Sequence, residues 1–270
     1  MRFQEIDISI NLMEGGHVFK ATDGSIQTKR IALKDIEPTI EYLEKITGLP
    51  LKNNTLGSVG KKSTSGDIDL AVDPLVLSKD QLVSRLKEYV TSRGISDPQN
   101  WIKKSGISVH FKMPIRNNPR LGYVQVDFMF HSGGAEEEKW LKFGMFSAGD
   151  SSNYSGADRN LLMSSLAKAQ GLKYSWQKGL IRRSDEQPIS KDPDVIATKI
   201  FGPQEDGDVF LSVENMQSAL DQNPSLKQKI SSLIDQLASP VDAEGNQRKP
   251  GEMRKNQEEI ERLKRLTGLG

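Results

Sequence analysis

Gly57-Ser58-Val59-Gly60-Lys61-Lys62-Ser63-Thr64-Ser65-Gly66-Asp67-Ile68-Asp69 decides the reading of this chain. A Gly-Ser turn leads into a short basic, hydroxyl-rich loop. That loop runs into Asp-Ile-Asp at the head of an apolar stretch, Ile68-Asp69-Leu70-Ala71-Val72. Alternate side chains of a strand share a face, so Asp67 and Asp69 point one way while Ile68, Leu70 and Val72 point the other. Two carboxylates one strand repeat apart form a hard, oxygen-only donor pair suited to Mg²⁺, with Mn²⁺ as a substitute. Just upstream, glycine backbone and a serine hydroxyl can meet phosphate oxygens. An anion cradle beside a divalent-metal site is the apparatus of phosphoryl or nucleotidyl transfer.

A third carboxylate extends the pattern. Tyr123-Val124-Gln125-Val126-Asp127-Phe128-Met129-Phe130 alternates cleanly, with Val124, Val126, Phe128 and Phe130 on one face. Asp127 lies on the opposite face, between Gln125 and Met129. A charge in so apolar a strand is costly unless it is paired or metal-bound. Placed beside the Asp67–Asp69 strand, Asp127 would complete a three-carboxylate site. Taken singly, a solvent-face Asp127 and a turn-capping Asp67 and Asp69 explain the same residues; the three features together favour the metal site.

These residues resemble the palm of the DNA polymerase beta-type nucleotidyltransferase superfamily. The similarity is greatest to the family X DNA polymerases, whose palm carries Gly-Ser, basic residues, then Ser/Cys-Gly-Asp-x-Asp. Phe146-Ser147-Ala148-Gly149-Asp150 is similar to the Tyr-Phe-Thr-Gly-Ser turn of that family's nucleotide-binding subdomain. Ala167–Leu172, Lys178-Gly179-Leu180 and Ser190–Val195 resemble the helix end, hairpin and helix start that follow it, so the likeness spans about 35–205. It implies that Asp67 and Asp69 hold a nucleotide-bound Mg²⁺ and share a second ion with Asp127, about 3.5–4 Å away as in two-metal sites generally. It also implies that Asp127 takes the proton of the attacking hydroxyl. Gly57, Ser58 and Lys61 would hold the phosphates, with Gly66 allowing close backbone approach, and Phe146 and Gly149 would border the sugar and base. The implied partners are a nucleoside triphosphate and the 3′ end of a DNA or RNA primer.

The chain also departs from that pattern. The loop from Gly57 to Asp67 is one residue short. Gln125 stands where family X polymerases commonly place an Arg, and 149–171 is longer than the family's segment. No helix-hairpin-helix motif occurs in 1–55. Modification of a protein or small molecule, or a non-catalytic palm-fold interaction module, therefore stand as alternatives.

Composition bounds the partners. The 270 residues include no Cys and three widely spaced His (His17, His110, His131), which argues against a thiolate or histidine-rich metal site. No apolar stretch approaches the roughly 18 residues of a membrane span, and the expectation is a soluble, cytoplasmic protein. The net charge is +1, from 37 basic and 36 acidic residues. That balance is low for a protein holding long nucleic acid by charge alone. The basic residues cluster, however. Lys103, Lys104, Lys112, Arg116 and Arg120 precede the Asp127 strand; Lys173, Lys178, Arg182 and Arg183 sit on a hairpin with Tyr174 and Trp176 between them. Such a ribbon can track a phosphate backbone and stack a base.

The expected fold class is α+β, in three regions. Residues 1–140 form an N-terminal segment and a palm with a mixed sheet and flanking helices. Residues 141–205 form a small, thumb-like α/β nucleotide-binding subdomain, and 206–270 a helical C-terminal appendage suited to docking a protein partner. Periodicity and punctuation predict helices near 35–47, 78–92, 158–170, 192–200, 212–221, 224–238 and 252–266. Gly144, Gly149 and Gly156 suggest a long flexible loop, and Asn117–Arg120 a hairpin turn.

Overall fold

The computed structural model describes residues 18–175, 178–242 and 245–269. Gly15, Gly16, His17 and Trp176 lie outside the described residues. The fold is mixed α+β, with a mixed sheet and flanking helices.

In chain order the elements are β1 (Ile31–Ala32), α1 (Leu33–Thr47), β2 (Thr64–Ser65), β3 (Asp67–Val72), α2 (Lys79–Ser92), β4 (Ile102–Ser105), β5 (Ser108–Pro114), β6 (Tyr123–Phe130) and α3 (Ala135–Gly144). There follow α4 (Gly156–Ala169), β7 (Leu172–Ser175), β8 (Gly179–Arg182), β9 (Pro188–Ser190), α5 (Pro193–Phe201), α6 (Val213–Asp221), α7 (Pro224–Ala238) and α8 (Pro250–Thr267). The four-stranded sheet has the order β3-β6-β5-β4. β3 and β6 run parallel, with Asp69 directly across from Asp127. β5 and β6 form the hairpin expected from the Asn117–Arg120 turn, with His110 opposite Asp127.

The period of two in β3 and β6 sorts their side chains. Ile68, Leu70, Val72, Val124, Val126, Phe128 and Phe130 enter a core that α1 and α2 close with Ile36, Ile40, Leu43, Leu82, Leu86 and Val90. Fully burying such side chains stabilises by about 1.5–3 kcal/mol each, which fixes the register of both strands. α1 ends on Gly48 at φ 69°, and α2 starts on a Ser78–Gln81 capping box.

The other face of the sheet carries the carboxylates at one end. Farther along, Ala71 packs with Leu56 and Leu141, and Met129 lies against them, so α3 covers this part of the face. α3, not expected from the sequence, runs up to Gly144, where the expected loop through Gly149 and Gly156 begins. Three acidic residues in its first turn (Glu136, Glu137, Glu138) and Lys142 in its last complement the helix dipole. β4 and β9 are two further strands the sequence reading passed over. Thr55 contributes one bridge to Leu70 after a 3-10 turn.

A second core gathers Trp140, Leu162, Leu166, Leu180, Ile196 and Ile200 with Phe210, Met216, Ile230 and Leu263. The last three helices thus share their packing with α4 and α5. Pro250 opens α8, where a missing N–H costs nothing. Asp158, in the capping box of α4, accepts from Arg262 at 2.7 Å and Arg265 at 3.2 Å, tying α8 to α4.

Candidate active site

Parallel pairing of β3 with β6 brings Asp67, Asp69 and Asp127 together. One oxygen of each carboxylate lies within 4.8 Å of the others. The three-way convergence expected from the sequence is therefore present. Burial raises the pKa of Asp67 to about 6, helped by the Asp127 charge and opposed by Arg30. Burial pushes Asp69 well above its ordinary 3.8, with the charges of Asp67 and Asp127 adding to it. Three crowded, partly desolvated carboxylates repel one another, and a hard divalent cation is the counter-charge that relieves them. The donor set fits Mg²⁺: oxygen atoms only, no thiolate, and no histidine within the group.

Asp127 is held at both oxygens. His110 Nδ1 lies 2.8 Å from Oδ1, and Gln125 Nε2 donates to Oδ2 at 3.0 Å. Gln125 Oε1 in turn accepts from the Val18 N–H at 3.0 Å. The sequence reading treated Gln125 as a lost cation and set His110 aside with the scattered histidines. The signal for His110 was its mirror position to Asp127 about the hairpin turn, on the polar face of an alternating strand. Arg30, also missed, donates to Thr64 Oγ1 and the Thr64 carbonyl at 3.1 Å each, which sets its charge near Asp67.

The expected phosphate-binding loop wraps the same corner. Gly57 has φ 61°, which favours glycine, and a Cβ there would lie 3.5 Å from Asp69 Oδ2, so the backbone runs against that carboxylate. The Ser58 carbonyl accepts from the Lys61 N–H at 3.0 Å, while its hydroxyl makes no hydrogen bond among the described residues. Gly66 separates β2 from Asp67.

Lys61 meets the second expected segment directly. Its ammonium donates to the Ser147 carbonyl at 2.9 Å and lies 4.3 Å from the centroid of the Phe146 ring. Partial burial there lowers its pKa. Gly149 has φ 67°, and a Cβ on it would fall 2.7 Å from the Lys61 carbonyl oxygen. Lys61, Phe146 and Gly149 thus form one cluster, and the loop following β1 and α1 is fastened to the 146–150 turn. A phosphate drawing on Lys61 has to compete with the Ser147 carbonyl.

Most of the clustered basic residues are engaged within the molecule. Lys103 donates to the Val18 carbonyl, Lys104 pairs with Asp80, and Arg116 pairs with Asp35. Lys112 is buried, donating to Gln27 and lying over Trp101. On the hairpin, Lys173 and Lys178 meet Glu186 at 3.0 and 3.8 Å, and Arg182 meets Asp185 at 2.8 Å. Tyr174 is tucked against Trp140 with its pKa pushed up to about 12 by burial, so it is not displayed for stacking. Arg183 is exposed, and its charge acts on Lys168. No described helix is long and apolar enough to cross a membrane.

No protein-family model matches the chain, and no curated protein matches it.

Proposed function

We propose that this chain is a Mg²⁺-dependent nucleotidyltransferase with a DNA polymerase beta-like palm. It would transfer a nucleoside monophosphate from an NTP or dNTP to an acceptor hydroxyl, with a nucleic-acid 3′ end as the first candidate, and release pyrophosphate. The observation that carries this reading is the register of Asp69 against Asp127, with Asp67 beside them, at the mouth of the 57–66 loop. A scaffold with only a binding role has no physical reason to keep three repelling carboxylates within 4.8 Å of one another.

In this reading Asp67, Asp69 and Asp127 hold the divalent ion. When bound, that ion would offset charge on the leaving pyrophosphate and ease deprotonation of the acceptor. Asp127 accepts the proton as the acceptor oxygen bonds to the α-phosphorus and the bridge to the β-phosphate breaks. Lys61, Ser58 and the Gly57 amide hold the outer phosphates, and Phe146 with Gly149 borders the nucleoside. The domain assignment belongs to the same proposal: a palm in 1–140, a nucleotide-binding subdomain in 141–205, and C-terminal helices in 206–270 that offer a protein-docking surface.

One observation favours a second reading, in which the acceptor is a protein or small molecule. The hairpin cations Lys173, Lys178 and Arg182 are paired to the hairpin's own Glu186 and Asp185. Incubation with Mg²⁺, each labelled nucleoside triphosphate and DNA or RNA primers separates the cases, with Asp127→Ala as control. Primer labelling lost in the control supports the first reading. Triphosphate consumption without primer labelling selects the second, and no consumption at all overturns both.

A further inference from the structure

His110 is a histidine with a specific task that the three-carboxylate reading leaves unassigned. It sits on β5 directly across from Asp127, so their contact is built into the hairpin register. Both side chains are largely withdrawn from solvent, 12% and 14% exposed, and Nδ1 lies 2.8 Å from Oδ1. A carboxylate can only accept, so the ring nitrogen facing it carries the hydrogen. The other oxygen is fixed just as firmly. Gln125 must turn its Oε1 toward the Val18 N–H, which leaves its Nε2 to donate to Asp127 Oδ2. No side-chain hydrogen bond reaches the carboxylates of Asp67 or Asp69 among the described residues.

We infer that His110 is the positioning residue of Asp127, locking the carboxylate so that each oxygen keeps one lone pair free for a divalent cation. The inference rests on the metal reading of the site. A carboxylate offers about four lone-pair sites, and its two hydrogen bonds take two of them. Outer partners of this kind orient metal ligands, and losing one typically costs about 10–100-fold in metal affinity. His110 itself stands outside the group of converging ligand atoms, so its effect passes through Asp127.

Calorimetric titration with Mn²⁺ or Mg²⁺ alone tests this without any turnover. His110→Phe keeps a ring and removes the donor; His110→Asn puts an amide N–H close to the position of Nδ1. The expected result is wild-type binding, affinity about 10–100-fold weaker in His110→Phe, and recovery in His110→Asn. Thermal melts of the metal-free proteins check that each is folded, and His110→Leu replaces the phenylalanine variant should that one not fold. Unchanged affinity in the donor-less variant overturns the inference while leaving the metal site standing, as does an equal loss in His110→Asn. Absence of binding to the wild type overturns the metal reading and this inference with it.

Discussion

Asp67→Asn should make the metal-free protein more stable while destroying its response to Mg²⁺. Asp67 has a folded pKa of about 6 against an ordinary 3.8, raised first by burial and then by Asp127. The folded state therefore holds a proton that the unfolded state releases between those values. Stability falls as pH rises through that window and stays reduced above it. At 1.36 kcal/mol per pH unit, the difference amounts to about 3 kcal/mol at pH 7.5. An asparagine in the same place removes that penalty but leaves an amide short of partners, at a cost of about 1–2 kcal/mol. The net gain is about 1–2 kcal/mol, or roughly 2–8 °C in Tm for a chain of this size. Near pH 4, where the native carboxyl is already largely protonated, the penalty falls to about 0.5 kcal/mol and the variant should become the less stable protein, by about 1 kcal/mol. Saturating Mg²⁺ should raise the wild-type Tm through ligand linkage and leave the variant nearly unmoved. Melting curves at pH 4 and 7.5, with and without Mg²⁺, read all four quantities. A variant less stable than wild type at pH 7.5, or one stabilised by Mg²⁺ to the same extent, would refute the reasoning.

Lys61→Ala should raise KM for the nucleoside triphosphate more than it lowers kcat, because a phosphate-holding cation acts largely on ground-state binding. Steady-state kinetics check it; equal losses in kcat and kcat/KM with KM unchanged count against the role. Lys178→Glu combined with Arg182→Glu should weaken single-stranded nucleic-acid binding and flatten its salt dependence by roughly one unit of slope per lost phosphate contact. The surface pairs these residues make with Glu186 and Asp185 are solvent-exposed and weak, so a phosphate can displace them. Unaltered binding across a salt series would remove the hairpin from the acceptor site.

Where one face of an element is buried, its pattern was legible. Ile36, Ile40 and Leu43 recur at helical spacing and form α1; Leu226, Ile230, Leu233 and Leu237 do the same for α7. Val124, Val126, Phe128 and Phe130 alternate and form β6. Short edge elements gave no such signal. β4 buries only Ile102 and shows solvent Lys103, Lys104 and Ser105, so neither period stands out. β9 has three residues and begins with Pro188. In α3 the apolar content is concentrated in Trp140 and Leu141, and flanking glycines masked the charge order that marks its ends.

The site divides along the same physical line. Asp67 and Asp69 could be assigned to one face because a single strand fixes their relation, and Asp127 because its own strand alternates. What joins them is the parallel pairing of β3 with β6, a contact across some sixty residues that no local pattern encodes. His110 shows how much nonetheless follows from a hairpin. Once the turn after Pro114 is placed, pairing outward from Pro114 and Tyr123 sets residue 110 against residue 127 and Lys112 against Gln125. The polar face of β5 then presents an imidazole to Asp127 and a lysine to Gln125. That second juxtaposition has its own logic: Lys112 turns away to Gln27 and the Trp101 ring, so its charge is not spent on Asp127. With Gln125 also neutral, the acidic cluster keeps the negative charge that a divalent ion requires.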